Sequence, residues 1–318
     1  MSNMMMCIGC RRGVWACALL GLSLGASAGA DEPSLESRLL PLARAHKGEV
    51  ALAVKNLETG ESVFHRQDEP MPTASLIKFP VMVEAYRQDA EKAIDLDDAV
   101  TLEASDKVPG SGILTNHFSA GARFPLRDAV HLMIAFSDNT ATNLVLDEIG
   151  IGSTAGTMER MGYPHTKIHS KVFRRDTSVA LERSKKFGLG STTAAEMLRL
   201  CEALHRKQLV SKDASEAMLG HMRACDDKEK FPRFLPPGTK IAFKTGSVDE
   251  SRTAAGIIET ATGPVALCVL THRNEDRRYH PDNAGNRLCA DVAKLVFDHF
   301  QAGPRPMPDD ESKTPAAK

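Results

Sequence analysis

The chain has 318 residues, 40 Lys and Arg against 41 Asp and Glu, and a formal net charge of −1. With 42% hydrophobic and 25% charged residues it has ordinary globular composition, long enough for a sizeable core, which excludes wholesale disorder and collagen-like structure. The even charge balance argues against a nucleic-acid partner, and one Trp and three Tyr offer few platforms for stacking single strands.

At the N-terminus Arg11 and Arg12 precede the apolar run Gly13 to Ala26, and Ala26-Ser27-Ala28-Gly29-Ala30 follows. A charged start, a short apolar stretch and a small-residue exit are the parts of a secretory signal. The run is also shorter than the ~20 residues a membrane span needs. Residues 1–30 therefore read as a signal peptide, and the protein as secreted or periplasmic, with no stable membrane insertion after cleavage. Cleavage after Ala30 removes two Arg and no acid, taking the net charge to −3. It also removes Cys7, Cys10 and Cys17 and leaves Cys201, Cys225, Cys268 and Cys289 in an oxidising compartment. Three complete pairings are open to these four, and free buried thiols are favoured slightly over any of them. None has CxxC spacing.

In the mature chain, Val50–Lys55 and Ser62–His65 alternate as strands about a polar turn containing Thr59-Gly60. Helical spacing follows, with Leu76, Phe79, Val83 and Tyr86, then Leu126, Val130, Met133 and Ile134, and further helices over 193–204 and 214–223. Strand character returns at 240–244, 253–259 and 264–271, and an amphipathic helix closes the fold over 287–300. Strands at both chain ends predict one antiparallel sheet over about 49–65 and 240–300, with helices on its faces. The fold class is α/β (α+β), with an inserted all-α subdomain over about 74–222 inside a single domain, 31–302. Residues 303–318, rich in Pro and charge, read as a disordered tail.

Three short motifs carry chemistry. In Ser75-Leu76-Ile77-Lys78, residues three apart on a helix share a face, so the Lys78 amine stands beside the Ser75 hydroxyl. A desolvated, neutral lysine can take the proton that makes such a hydroxyl nucleophilic. Ser137-Asp138-Asn139 lies between two helical runs, where a plain helix cap is the simpler explanation. Lys244-Thr245-Gly246-Ser247 closes a strand; Lys244 supplies charge, Thr245 a hydroxyl, and Gly246 lets a backbone approach closely. Val108 to Leu114 reads as a loop on the rim of the same cleft.

Each motif alone is weak; in order, S-x-x-K, S-D-N and K-T-G form the trio of the penicillin-recognising serine enzymes. The intervals, 62 residues from Ser75 to Ser137 and 107 from there to Lys244, and the run Ser137 to Leu144 resemble class A β-lactamases. The likeness spans about Glu49 to Phe300. It implies a β-lactamase/transpeptidase-like fold and a hydrolase that opens the β-lactam amide through an acyl-enzyme on Ser75. By the same resemblance Lys78 is the base or proton relay, and Ser137 passes the proton to the leaving nitrogen. Asn139 holds the substrate's side-chain amide, Lys244, Thr245 and Gly246 form the carboxylate end, and the Ser75 and Ser247 backbone N–H groups form the oxyanion hole. No metal or other cofactor is implied; His165 and His169 are four apart, but no H-E-x-x-H pattern occurs. The expected partner is a small β-lactam or cell-wall peptide, acted on by a monomer.

One departure stands out. Class A enzymes carry a Glu-x-x-Leu-Asn segment about 36 residues after the second motif, whose Glu activates the water that frees the acylated serine. Here Lys171 to Arg183 contains no such segment. Asp176 and Glu182 are the carboxylates at hand, each beside Arg, and an ion-paired surface role fits them better. Two alternatives stay open on this point: a D-alanyl-D-alanine peptidase, or a β-lactam-binding sensor that acylates without turnover. Arg252, just past the third motif, is given no role.

Overall fold

The computed structural model describes residues 33–302, so the signal peptide and tail expected at the two ends lie outside the described residues. The chain opens with α1 (Leu35–Ala45), capped by the Ser34 hydroxyl. The hairpin β1 (Glu49–Asn56) and β2 (Ser62–His65) follows, then a short β3 (Met71–Pro72). The helical segment comprises α2 (Lys78–Ala90), α3 (Leu114–His117), α4 (Leu126–Ala135), α5 (Asn139–Ile149), α6 (Ile151–Arg160), α7 (Leu181–Phe187), α8 (Ala194–His205) and α9 (Lys212–Arg223). The insert is not purely helical: β4 (Ala99–Thr101) pairs with β5 (Arg123–Pro125), and β3 joins β6 (Lys167–Ile168) and β7 (Gly190–Thr192). These strands of two or three residues are too short to leave a periodic signal. The chain ends with β8 (Ile241–Val248), β9 (Ser251–Thr260), β10 (Gly263–His272) and α10 (Ala284–Gln301).

The main sheet is antiparallel in the order β2-β1-β10-β9-β8, so strands from the two ends of the chain meet where β1 pairs with β10. Period-two alternation sends its side chains into two cores. Ala51, Ala53, Ala266, Cys268 and Leu270 face the helical segment, and Val50, Leu52, Val54, Val265, Leu267 and Val269 pack under α1 and α10. Cys201, Cys225, Cys268 and Cys289 are free thiols, all buried.

The same parity sorts the residues after the third motif. Gly246 lies opposite Thr253 on the helical side, whereas Ser247 lies opposite Arg252 on the other. Arg252 accordingly runs under α10, against Gly285, and its guanidinium donates to the carbonyls of Val248, Ser251 and Arg278 beneath the Tyr279 ring. It is a structural arginine.

Candidate active site

From Met71 to Ala85 every residue is buried except Ser75. The run starts in a 3-10 turn, Ala74–Ile77, that feeds directly into α2, so the helix expected from Ala74 is tighter in its first turn. Ala74, just before Ser75, has a φ of 47°, a left-handed conformation costly for a residue with a Cβ. β8 clamps the turn from outside. Thr73 O accepts from Thr253 Oγ1 at 2.7 Å, and a Cβ on Gly246 would stand 2.4 Å from Thr73 O and 2.8 Å from Ser75 N. Only glycine lets strand and turn approach so closely, which brings the backbone at Ser247 beside that at Ser75.

Ser137 is the second strained residue, with a φ of 53° between α4 and α5. Its neighbour Asp138 explains how the turn is held. The buried Asp138 carboxylate caps α5 through Ala141 N at 2.8 Å and accepts from Ile113 N and Leu114 N at 2.7 and 2.8 Å. It thereby ties the second motif to the rim loop, where Gly112, at a φ of 118°, has no room for a Cβ against Asp138. Asn139 is fixed from the same loop, its amide donating to Pro109 O and its backbone N–H to Ser111 O, both at 3.0 Å. The rim loop read from sequence is therefore the second motif's scaffold, and Ser111 also lines the cleft.

Two lysines with no exposed surface meet at Ser137. Lys78 Nζ donates to Ser137 O at 2.6 Å and Asn139 Oδ1 at 2.8 Å, with Ser137 Oγ at 3.4 Å. Lys244 Nζ donates to Ser137 Oγ at 3.0 Å and Thr245 O at 2.8 Å. Burial, and then the charge of Lys244, press the Lys78 pKa well below the ordinary lysine value, with Asp138 pulling only weakly the other way. A neutral Lys78 spends its two N–H groups on the two short acceptors, leaving its lone pair for a hydroxyl proton. Burial lowers Lys244 as well, and the charge of Asp227 opposes the drop.

Ser75, Ser137, Lys244, Thr245, Gly246 and Ser247 line one cleft of about 410 Å³. Ala135 and Phe136 at the end of α4 and the segment Cys225 to Glu229 complete the wall; the latter carries no motif and was invisible to spacing arguments. A run of five charged residues after a helix, Asp226 to Lys230, was the signal available.

The loop after the second motif contributes no carboxylate to this cleft. Asn143 of α5 grips Val172 at both backbone atoms, accepting from Val172 N at 2.8 Å and donating to Val172 O at 3.0 Å. Phe173, 36 residues after Ser137, takes a φ of 56° and lies against Gly110, with most of its ring in solvent. Glu182 sits on α7, 83% exposed and paired with Lys185 at 2.7 Å; Asp176 is exposed too. No residue of Lys171 to Arg183 lines the cleft.

Comparison with known proteins agrees with this geometry. Among curated relatives, a beta-lactamase of Streptomyces cellulosae is 28% identical over 284 residues, covering 84% of this chain and 87% of its own. One of Proteus vulgaris is 26% identical, covering 78% and 82%. The crystal structure of a beta-lactamase from Sphaerobacter thermophilus superposes with a TM-score of 0.74 at 27% identity, covering 84% of this chain and 97% of that one. The structure of PBP-A, at 22% identity and a TM-score of 0.73, shares the fold. The sequence pattern of the Beta-lactamase enzyme family matches residues 34–300, and the chain belongs to that family.

Proposed function

We propose that the cleft opens β-lactams through an acyl-enzyme on Ser75, and that release of the acyl group is its slow step. The observation that carries this reading is the pair of buried lysines that both reach Ser137, with burial and the charge of Lys244 holding Lys78 well below the ordinary lysine pKa. Ser75 Oγ attacks the lactam carbonyl carbon while its proton passes to Lys78 Nζ. The Ser75 and Ser247 N–H groups stabilise the oxyanion. When the C–N bond breaks, the proton on Lys78 travels through Ser137 Oγ to the departing nitrogen, and Lys78 is neutral again. Lys244 has one donor left over from Ser137 and Thr245, and with the Thr245 hydroxyl it takes the substrate's carboxylate. Asn139, held by the rim loop, presents its amide to the substrate's side-chain amide.

Water then attacks the ester, with Lys78 again as base, and Ser75 Oγ regains its proton as the acid leaves. A second reading, a peptidase for cell-wall peptides or a sensor with a long-lived adduct, is favoured by one observation: Val172 and Phe173 occupy the stretch where the family's water-activating carboxylate is expected. Export through the N-terminal signal and a monomeric state complete the proposal. The test of the nucleophile is Ser75→Ala, which abolishes covalent labelling by a fluorescent penicillin; a variant that still labels removes Ser75 from the role.

A further inference from the structure

The loop that lacks the expected carboxylate holds an aromatic ring out to solvent beside the second motif. Lys171 and Arg174 pair across a turn, with Arg174 N donating to Lys171 O at 3.2 Å. Phe173 is the turn's third residue, and its φ of 56° is the conformation for which glycine or asparagine is usual there. The turn is nevertheless held firmly. Asn143 clamps Val172, Lys171 pairs with Asp147 of α5, Lys171 N donates to Thr177 Oγ1 at 2.9 Å, and the Arg174 guanidinium donates to Ser105 O just before the rim loop. Val172 is buried by these contacts, whereas Phe173 is 64% exposed, more than any other phenylalanine among the described residues. A bulky residue here bears the cost of a left-handed backbone and of apolar surface left in water, and the fold gains little packing in return.

We infer that Phe173 is a specificity-determining residue: its ring receives the acyl side chain of the β-lactam, so that the cleft favours aryl acyl groups over small alkyl ones. The inference rests on the reading of the cleft given above. In that reading the substrate's carboxylate lies at Lys244 and Thr245, its reacting carbonyl at Ser75 and its side-chain amide at Asn139. The acyl group therefore continues beyond Asn139, away from β8, and Gly110 and Phe173 stand there. Ser111 lines the cleft, and Gly110 is the next residue of the rim loop outward. A Cβ built on Gly110 would stand 2.7 Å from Asn139 Nδ2 and 3.3 Å from Phe173 Cε2. Amide and ring thus border one gap, left open by a residue that has no side chain and takes a φ of 91°. The Asn139 amide spends one hydrogen on Pro109 O at 3.0 Å, and its other hydrogen is available to the acyl carbonyl. A phenyl group one methylene past that carbonyl is brought to the Phe173 ring, where aromatic contact and the release of water both favour it.

The test is the second-order rate of Ser75 acylation by two penicillins, each measured in competition with a fluorescent penicillin. One is benzylpenicillin; the other carries acetyl in place of phenylacetyl, so the amide that Asn139 binds is the same in both. Wild-type protein is expected to prefer the benzyl compound, and Phe173→Ala to lower that preference about fivefold, the worth of one aromatic contact. Phe173→Tyr keeps it. Phe173→Gly loses the preference as the alanine variant does, although glycine suits the turn and leaves thermal unfolding at or above the wild-type temperature. A merely structural role would slow both penicillins alike, be relieved by glycine, and leave the ratio in place. If the alanine variant fails to fold, the glycine variant carries the test. Wild-type protein without the preference, or a ratio unchanged in either variant, overturns the inference while labelling at Ser75 keeps the reading of the cleft intact. Wild-type protein that neither penicillin acylates and the probe does not label overturns both.

Discussion

Gly246→Ala tests the closest contact in the site. The added Cβ would stand 2.4 Å from Thr73 O, 2.6 Å from Thr253 Oγ1 and 2.8 Å from Ser75 N, where ordinary contact begins at 3.4 Å. Two of these three atoms are backbone, so no side chain can simply swing aside. Strand β8 must draw back from the 3-10 turn by about 1 Å, and a displacement of that size in a reacting assembly costs about 100-fold in rate, or roughly 2.7 kcal/mol in the barrier. The loss falls on the proposed oxyanion hole, because the Ser75 and Ser247 N–H groups come from the two elements being separated. Overpacking of this kind also costs about 1–3 kcal/mol of stability. Stopped-flow acylation with a labelled penicillin, beside thermal unfolding, measures both. Acylation within threefold of wild type in a folded variant would refute the argument that glycine sets this approach.

Acylation should persist well below the pH at which an ordinary lysine becomes neutral, because burial depresses Lys78; activity falls only as pH drops through that lowered pKa. A pH–rate profile whose acid limb lies at the usual lysine value would contradict the neutral-amine base. Asp138→Ala strips acceptors from Ala141 N, Ile113 N and Leu114 N and should cost about 3 kcal/mol in urea unfolding, with looser binding from the displaced rim loop. A change under 1 kcal/mol, as in a simple exposed cap, would sink that account. Glu182→Gln should leave turnover unaltered, since the side chain is solvent-exposed and paired with Lys185; a stalled acyl-enzyme in that variant would show that α7 closes over the cleft.

Much of this was legible in the chain. The alternating runs at both ends predicted the sheet, because strands buried on both faces leave long apolar stretches such as 264–271. Ser75, Ser137, Lys244 and Thr245, singled out by their motifs, line one cleft, and Lys78 lies buried behind it, bonded to Ser137 O. Helix α1 gave a weaker signal, since Pro41 and scattered charges interrupt its apolar stripe and only Leu35, Leu39 and Ala43 are buried. The cleft wall from Cys225 to Glu229 was missed for a different reason. A charged run usually marks a solvated face, and nothing in Asp226 to Lys230 reveals which residue turns inward. The loop departure was visible, but its consequence lies in tertiary contacts far apart in sequence: Asn143 clamps Val172, and Glu182 stands out in solvent.

The central claim is best tested by following intact and peptide mass over time as the purified protein meets a chromogenic cephalosporin, with absorbance recorded in parallel. The account predicts an adduct on the peptide containing Ser75 that builds early, followed by slower, sustained release of coloured product. Hydrolysis with the adduct on any other residue, or with none on Ser75 under conditions that trap esters, would contradict it.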